Sequence, residues 1–179
     1  GIVITVTVVR FTNRQAAKLH HKALYDGLTG LPNRTLFADR LQQTVLVYQR
    51  QKKSFGFIAM DLNLFKEIND TLGHHVGDEV LKEVSRVVLQ SLRDSDTVAR
   101  MGGDEFSILL PSAQTVEDTV IVAERILEML HEPLTILGQK IEIGASLGLA
   151  QYPDDAEQID DLQRLADTAM YHAKRTRCG

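Results

Sequence analysis

The chain has 179 residues, 44% hydrophobic and 25% charged, enough for one domain with a full core and a short appendage. A net charge of −4 and a pI near 5.9 argue against nucleic acid as a partner. A single cysteine, Cys178, allows no internal disulfide and points to a reducing, cytoplasmic compartment, and no apolar run approaches the length of a membrane span. The chain starts at Gly1 without a start Met or signal peptide and reads as an excised piece of a longer protein.

Residues 2–9 are all β-branched, which favours a strand, although the cut end of a membrane helix has the same composition. The next residues, Arg10-Phe11-Thr12-Asn13-Arg14-Gln15, resemble the exit of a PAS sensor domain, with Arg10 where such linkers usually carry Asp. Residues 13–25 read as a helix with Ala16, Leu19 and Ala23 on one stripe, the end of a signalling helix. Residues 1–25 are therefore assigned to an upstream PAS-like domain and its helix, and residues 26–179 to the main domain. Any membrane anchor of the parent protein would lie upstream.

Asp26–Arg34 is a loop by its two Gly and one Pro. A helix follows with Phe37, Leu41, Thr44, Val45 and Tyr48 inward. Phe55–Leu62 is a continuous apolar strand broken only by Asp61, the pattern of a strand buried on both faces. A second helix carries Val80, Leu81, Val84, Val87, Val88 and Leu92 on one face. A third aligns Val116, Val120, Ala123, Leu127 and Leu130. Ile141–Ala150 is predicted as one strand. Ile159, Leu162, Leu165, Ala166, Ala169, Met170 and Ala173 mark a last amphipathic helix. Helices and strands alternate irregularly, which predicts an α+β fold with a central mixed sheet covered by helices.

Between the second and third helices lie two β-prone runs, Thr97–Met101 and Phe106–Leu110, joined by Gly102, Gly103, Asp104 and Glu105. This is a hairpin signal. Adjacent glycines also clear side chains from a place where phosphates can approach. Taken alone, the four residues make an ordinary exposed turn. However, Gly102-Gly103-Asp104-Glu105-Phe106 spells the signature of the GGDEF family, the diguanylate cyclases, which the chain resembles from about Asp26 to Lys174. The loop Asp26-Gly27-Leu28-Thr29-Gly30-Leu31-Pro32-Asn33-Arg34 matches the family's opening motif, and further motifs recur in the same order. The resemblance implies the central sheet shared with class III nucleotide cyclases.

Asp61 ends a buried strand and Asp104 sits in the turn. If those strands are neighbours, two carboxylates and a backbone carbonyl form a hard oxygen site suited to Mg²⁺ or Mn²⁺. The resemblance assigns the metal to Asp61, Asp104 and the carbonyl of Leu62, with Glu105 a further ligand or base. Lys66 begins a helix whose free amides favour phosphate. Asn69 and Asp78 offer the donor and acceptor that a guanine edge needs, or else they cap helices. Family-like contacts to the nucleotide fall on Phe65, Lys66, Asn69, Asp78, Gly102, Gly103 and Lys174. Asn63 stands where many members have a second Asp. After Lys174, Arg177 and Cys178 replace the family's Gly and Arg.

The resemblance implies that two GTP are joined into cyclic di-GMP across a transient homodimer of half-sites. Arg93 and Asp96, six residues ahead of Gly102 at the latter, match the family's Arg-x-x-Asp product-inhibition site; on local chemistry alone they cap a helix end. Two other readings stand beside this one: an idle module that binds GTP or cyclic di-GMP, and a cyclase closing a single nucleotide on itself.

Overall fold

The computed structural model of the chain describes residues 22–176. The upstream strand, most of the signalling helix, and Arg177 and Cys178 lie outside the described residues. Phe55–Leu62 (β1) forms the centre of the fold, with every residue buried. It is so apolar because both its neighbours and both its faces are covered. Helix α1 (Arg34–Gln51) precedes it. Asn33 caps α1, accepting from the amides of Thr35 and Leu36 at 3.0 and 3.1 Å. After β1 come α2 (Phe65–Leu72), α3 (His74–Gln90), β2 (Thr97–Gly102) and β3 (Glu105–Leu110). Then follow α4 (Val116–His131), a small hairpin of β4 (Leu134–Ile136) and β5 (Gln139–Ile141), β6 (Ala145–Tyr152) and α5 (Ile159–Thr176).

The main sheet has the order β2-β3-β1-β6. Its α+β class is as expected, but every described pairing in it is antiparallel rather than mixed. The reason is the insertion of β3. The crossover through α2 and α3 sets β2 parallel to β1, and the tight turn then feeds β3 back between them. This is the split βαβ arrangement of a β-α-β-β-α-β chain.

The period-two alternation of β1 divides the core. Phe55, Phe57 and Ala59 join Phe37, Leu41 and Val45 of α1 and Leu162 and Ala166 of α5. Phe37 meets Phe57 edge-on, with ring centroids 6.0 Å apart. On the other face Ile58, Met60 and Leu62 pack with Val80, Val84 and Val88 of α3 and Ala123, Ile126 and Leu130 of α4.

Two sequence expectations are corrected. Val116 and Val120 are exposed, and the buried stripe of α4 is Thr119, Ala123, Ile126 and Leu130. The phase is set by Thr119, whose hydroxyl donates to the buried Gln151 at 2.9 Å. The expected strand Ile141–Ala150 is two strands, because residues 142–144 leave the ladder and Gly144 gives its carbonyl to the Asn63 amide at 2.8 Å. Among the described residues no helix is long and apolar enough to cross a membrane.

Gly148 lets α5 lie directly on β6. A Cβ there would stand 1.9 Å from the Ala166 carbonyl oxygen and 2.3 Å from the Met170 nitrogen. Both are helix backbone and cannot yield without lifting α5. Gly148→Ala is therefore expected to cost about 1–3 kcal/mol of overpacking. A denaturant titration should show a lower midpoint at unchanged slope.

Candidate active site

Asp61 is the last polar step before β1 ends, and the residue is only 7% exposed. It pairs with Glu105 of β3 on one side and Ser146 of β6 on the other. Directly opposed residues project from the same face, so Glu105 shares the face of Asp61 and is the exposed partner. The amide of the next residue, Leu62, donates to the Asp104 carbonyl at 3.2 Å. The two strands expected to be neighbours are neighbours, and Asp61, Leu62, Asp104 and Glu105 meet at one sheet edge.

The ammonium of Lys174, near the end of α5, is ion-paired with Asp61. Burial is the main cause pushing the Asp61 carboxyl above its ordinary value; the Lys174 hydrogen bond opposes this, and the Asp104 charge adds to it. Asn63 is fixed beside them, accepting from the Ser146 hydroxyl at 2.8 Å.

The turn itself uses Gly102 at φ 144° and Gly103 at φ 53°, with Asp104 half-buried. A register shift lies between Arg100 and Gly102. Arg100 holds the turn: its Nε and Nη2 donate to the Gly103 carbonyl at 2.9 and 2.8 Å. Its Nη1 reaches the Asp26 carboxylate at 3.1 Å. Asp26 also accepts from the Thr29 amide and hydroxyl, each at 2.8 Å. Burial alone would raise the Asp26 carboxyl; the Thr29 donors and Arg100 outweigh it and hold it below the usual value. Arg34 adds a bond from its Nη2 to the Met101 carbonyl at 3.2 Å. Sequence reasoning missed Asp26, Arg34, Arg100 and Ser146. The available signal was an Arg in an otherwise small and apolar strand, two residues before Gly102.

Beyond β1, Leu64 takes φ 61° and starts α2, which has no side-chain cap on its first amides. Lys66 is exposed in that first turn. Phe65 is 8% exposed, and Asn69 is partly buried. Both abut Gly77: a Cβ at Gly77 would stand 1.9 Å from the Asn69 Oδ1 and 3.3 Å from the Phe65 ring. Only glycine admits this approach, and it brings Asn69 to the foot of Asp78. The capping alternatives fall away, since Gly73 is the residue shared between the ends of α2 and α3.

Arg93 and Asp96 are not part of this cluster. They form their own turn, the Arg93 amide donating to Asp96 Oδ2 at 2.9 Å and the Asp96 amide to the Arg93 carbonyl at 3.0 Å. The whole of β2 separates them from Gly102, about 17–20 Å for six residues.

The donor set fits a small hard cation: the carboxylates of Asp61 and Asp104 and the carbonyl of Leu62 could each offer it oxygen. Among the described residues no cluster of three or more His, Cys, Asp or Glu could cage an ion by itself. Such a site leaves positions for water and phosphate, the mode Mg²⁺ favours.

The family profile described as "Diguanylate cyclase, GGDEF domain" matches residues 23–178. The chain belongs to the GGDEF diguanylate cyclase family. It is 41% identical over 171 residues to the bifunctional diguanylate cyclase/cyclic di-GMP phosphodiesterase MucR of Pseudomonas aeruginosa, covering 96% of this chain and 24% of MucR. It is 38% identical over 160 residues to the diguanylate cyclase TpbB of the same organism, covering 89% of this chain and 37% of TpbB. The chain thus spans well under half of these relatives. The crystal structure of the TpbB GGDEF domain superposes with a TM-score of 0.81 at 37% identity, covering 83% of this chain and 92% of that one. The coiled coil and GGDEF domain of DgcB from Caulobacter crescentus, in complex with c-di-GMP, gives a TM-score of 0.87 at 25% identity, covering 98% and 93%.

The raised carboxyl of Asp61 makes its charge a net cost to the fold. In the folded state this group binds its proton up to a higher pH than in the unfolded chain. Its contribution to stability therefore falls as pH rises from the unfolded value, 3.8, through the folded one. Asp61→Asn removes that cost. Its melting temperature should exceed that of the parent at pH 7, and the gap should close as the pH drops below about 4. Thermal melts across pH check the sign.

Proposed function

We propose that this domain is a diguanylate cyclase condensing two GTP into cyclic di-GMP. In each half-reaction a 3′-hydroxyl loses its proton and attacks the α-phosphorus of the other GTP. A P–O bond forms, the Pα–O–Pβ bond breaks, and pyrophosphate leaves; two such steps close the ring. The observation that carries this reading is the juxtaposition of buried Asp61 with Asp104 in the glycine turn, in a chain of this family.

Asp61, Asp104 and the Leu62 carbonyl would hold Mg²⁺ or Mn²⁺, which polarises the α-phosphate and lowers the pKa of the attacking hydroxyl. Lys66 and the uncapped amides of α2 bind the triphosphate, together with Lys174. Gly102 and Gly103 leave room for the phosphates to approach backbone. Asn69 and Asp78 read the guanine edge, and Phe65 supports them from below. Glu105, exposed on the face of Asp61, faces the reacting hydroxyl. One domain binds one GTP, so two copies must meet across a two-fold axis, and catalysis is largely alignment. The segment expected to set this homodimer, around Ala16–Ala23, lies largely outside the described residues. Its expected location is the cytoplasm.

A second reading, an idle module binding GTP or cyclic di-GMP, draws support from one relative. The cyclic di-GMP phosphodiesterase NbdA is 40% identical over 91% of this chain, so a domain this similar occurs in a protein named for the opposite reaction. Incubating the protein with GTP and Mg²⁺ and identifying the product by mass separates the two. Cyclic di-GMP is expected; GTP binding without turnover selects the idle module. Asp104→Ala should lower turnover by at least about a hundredfold, since losing a ligand exceeds the loss from disturbing a ligand's support.

Arg93 and Asp96 make a separate product site. The Arg fork donates to guanine O6 and N7, and the carboxylate accepts from N1–H and N2–H₂. Product bound there would crosslink two domains with their active sites apart. Calorimetry on the Asp104→Ala protein should still show cyclic di-GMP binding, at tens of micromolar or tighter, roughly −6 kcal/mol. The double variant with Arg93→Ala should show none.

A further inference from the structure

Lys174 carries two demands that cannot be met together. Its ammonium is paired with the Asp61 carboxylate. Under the proposed function, Asp61 is a metal ligand and Lys174 a phosphate contact. A lysine on Oδ1 of Asp61 occupies a lone pair that a cation would need, and it sets a positive charge against the incoming ion. The fold makes this pairing a built feature. Gly148 seats α5 on β6, which aims the end of α5 at the edge where β1 terminates. Asp61 is buried, so its charge requires a partner whenever no metal is present. Lys66 is exposed on α2 and forms no ion pair with it, and Asn63 is neutral and tied to Ser146. Among the described residues Lys174 is the sole cation on Asp61.

The lysine is also free to leave. Its side chain is 41% exposed, against 10% for that of Asp61. A flexible four-carbon stem with a compact charge can swing without unpacking the helix.

We propose that Lys174 is an exchangeable counter-ion that holds Asp61 until metal and nucleotide triphosphate arrive together, and then transfers to the triphosphate. This rests on the metal and nucleotide roles given above. Metal alone must evict Lys174 and leave its charge unpaired. Metal with a triphosphate gives Lys174 a new anionic partner, so each ligand promotes the other, and by linkage the coupling is reciprocal. Lys174 is a positioning residue here, because it acts on the metal through Asp61.

The test is Mn²⁺ binding measured by the electron paramagnetic resonance signal of the free ion. It is run on the full chain, with and without a non-hydrolysable GTP analogue. Lys174→Gln should bind Mn²⁺ alone more tightly than the parent, by up to about fivefold, the scale of one partly exposed ion pair. The gain in Mn²⁺ affinity on adding the analogue should be large in the parent and clearly smaller in Lys174→Gln. Lys174→Arg keeps a cation at the position and should bind Mn²⁺ alone no more tightly than the parent. Asp61→Asn should abolish the site in either background. The proposal is overturned if Lys174→Gln binds Mn²⁺ alone no more tightly than the parent, or if the analogue's effect is undiminished. Retained affinity in Asp61→Asn overturns it together with the metal site. If the manganese pattern holds while GTP yields no cyclic di-GMP, the exchange stands and the cyclase reading fails.

Discussion

A carboxylate at the end of a strand buried on both faces is the constraint around which this domain is arranged. β1 is one of the two inner strands of the sheet, and its apolar residues join both halves of the core. Asp61 inherits that burial without sharing its benefit. Ionised, it loses water and gains a like charge from Asp104 nearby. An isolated buried carboxylate would tend to neutralise. The fold instead supplies Lys174 from the last helix. Under the proposed function, the cost of that charge is what would draw a divalent cation to the site.

A second arrangement keeps the turn in place. Gly102 and Gly103 occupy positive φ and carry no side chains to pin them. Left to itself, such a turn would sample many conformations. Arg100 removes that freedom by fastening the Gly103 carbonyl to Asp26, which is in turn wrapped by its own loop. The opening motif therefore has a structural purpose 74 residues away in sequence. Its carboxylate does not touch the site, yet it fixes the backbone that presents Asp104.

Much of this could be read from sequence, and what could not has definite causes. β1 was found with its full bounds because a strand buried on both faces leaves an unbroken apolar run. The hairpin was found because glycine pairs announce turns. The stripe of α4 was misassigned because both faces carry apolar residues: Val116, Val120 and Ile121 are exposed while Thr119 is buried. Periodicity ranks residues by polarity and cannot know that Gln151 waits inside to receive a hydroxyl. The split of the predicted strand Ile141–Ala150 depends on a bond from Asn63, far upstream, and no local pattern reports it. The ion pair of Lys174 with Asp61 is also a long-range fact. A motif names a residue for its role in a loaded site, and here the motif lysine is paired with Asp61.

The cluster also divides by exposure. Asp61, Leu62 and Phe65 are buried, and Asn69 is partly so. These groups are held by the core and need no ligand to adopt their positions, which is the condition for preorganised chemistry. Lys66, Asp78, Gly102, Gly103 and Glu105 are exposed on the outer side of the same edge. That surface is polar and incomplete: one fixed half with an open front. Under the proposed function, one chain would hold one triphosphate against the buried half and leave its other side to the open front. An enclosed active site would have made a second copy unnecessary. Under the proposed function, that open front is where a second copy, with its own nucleotide, would complete the reaction.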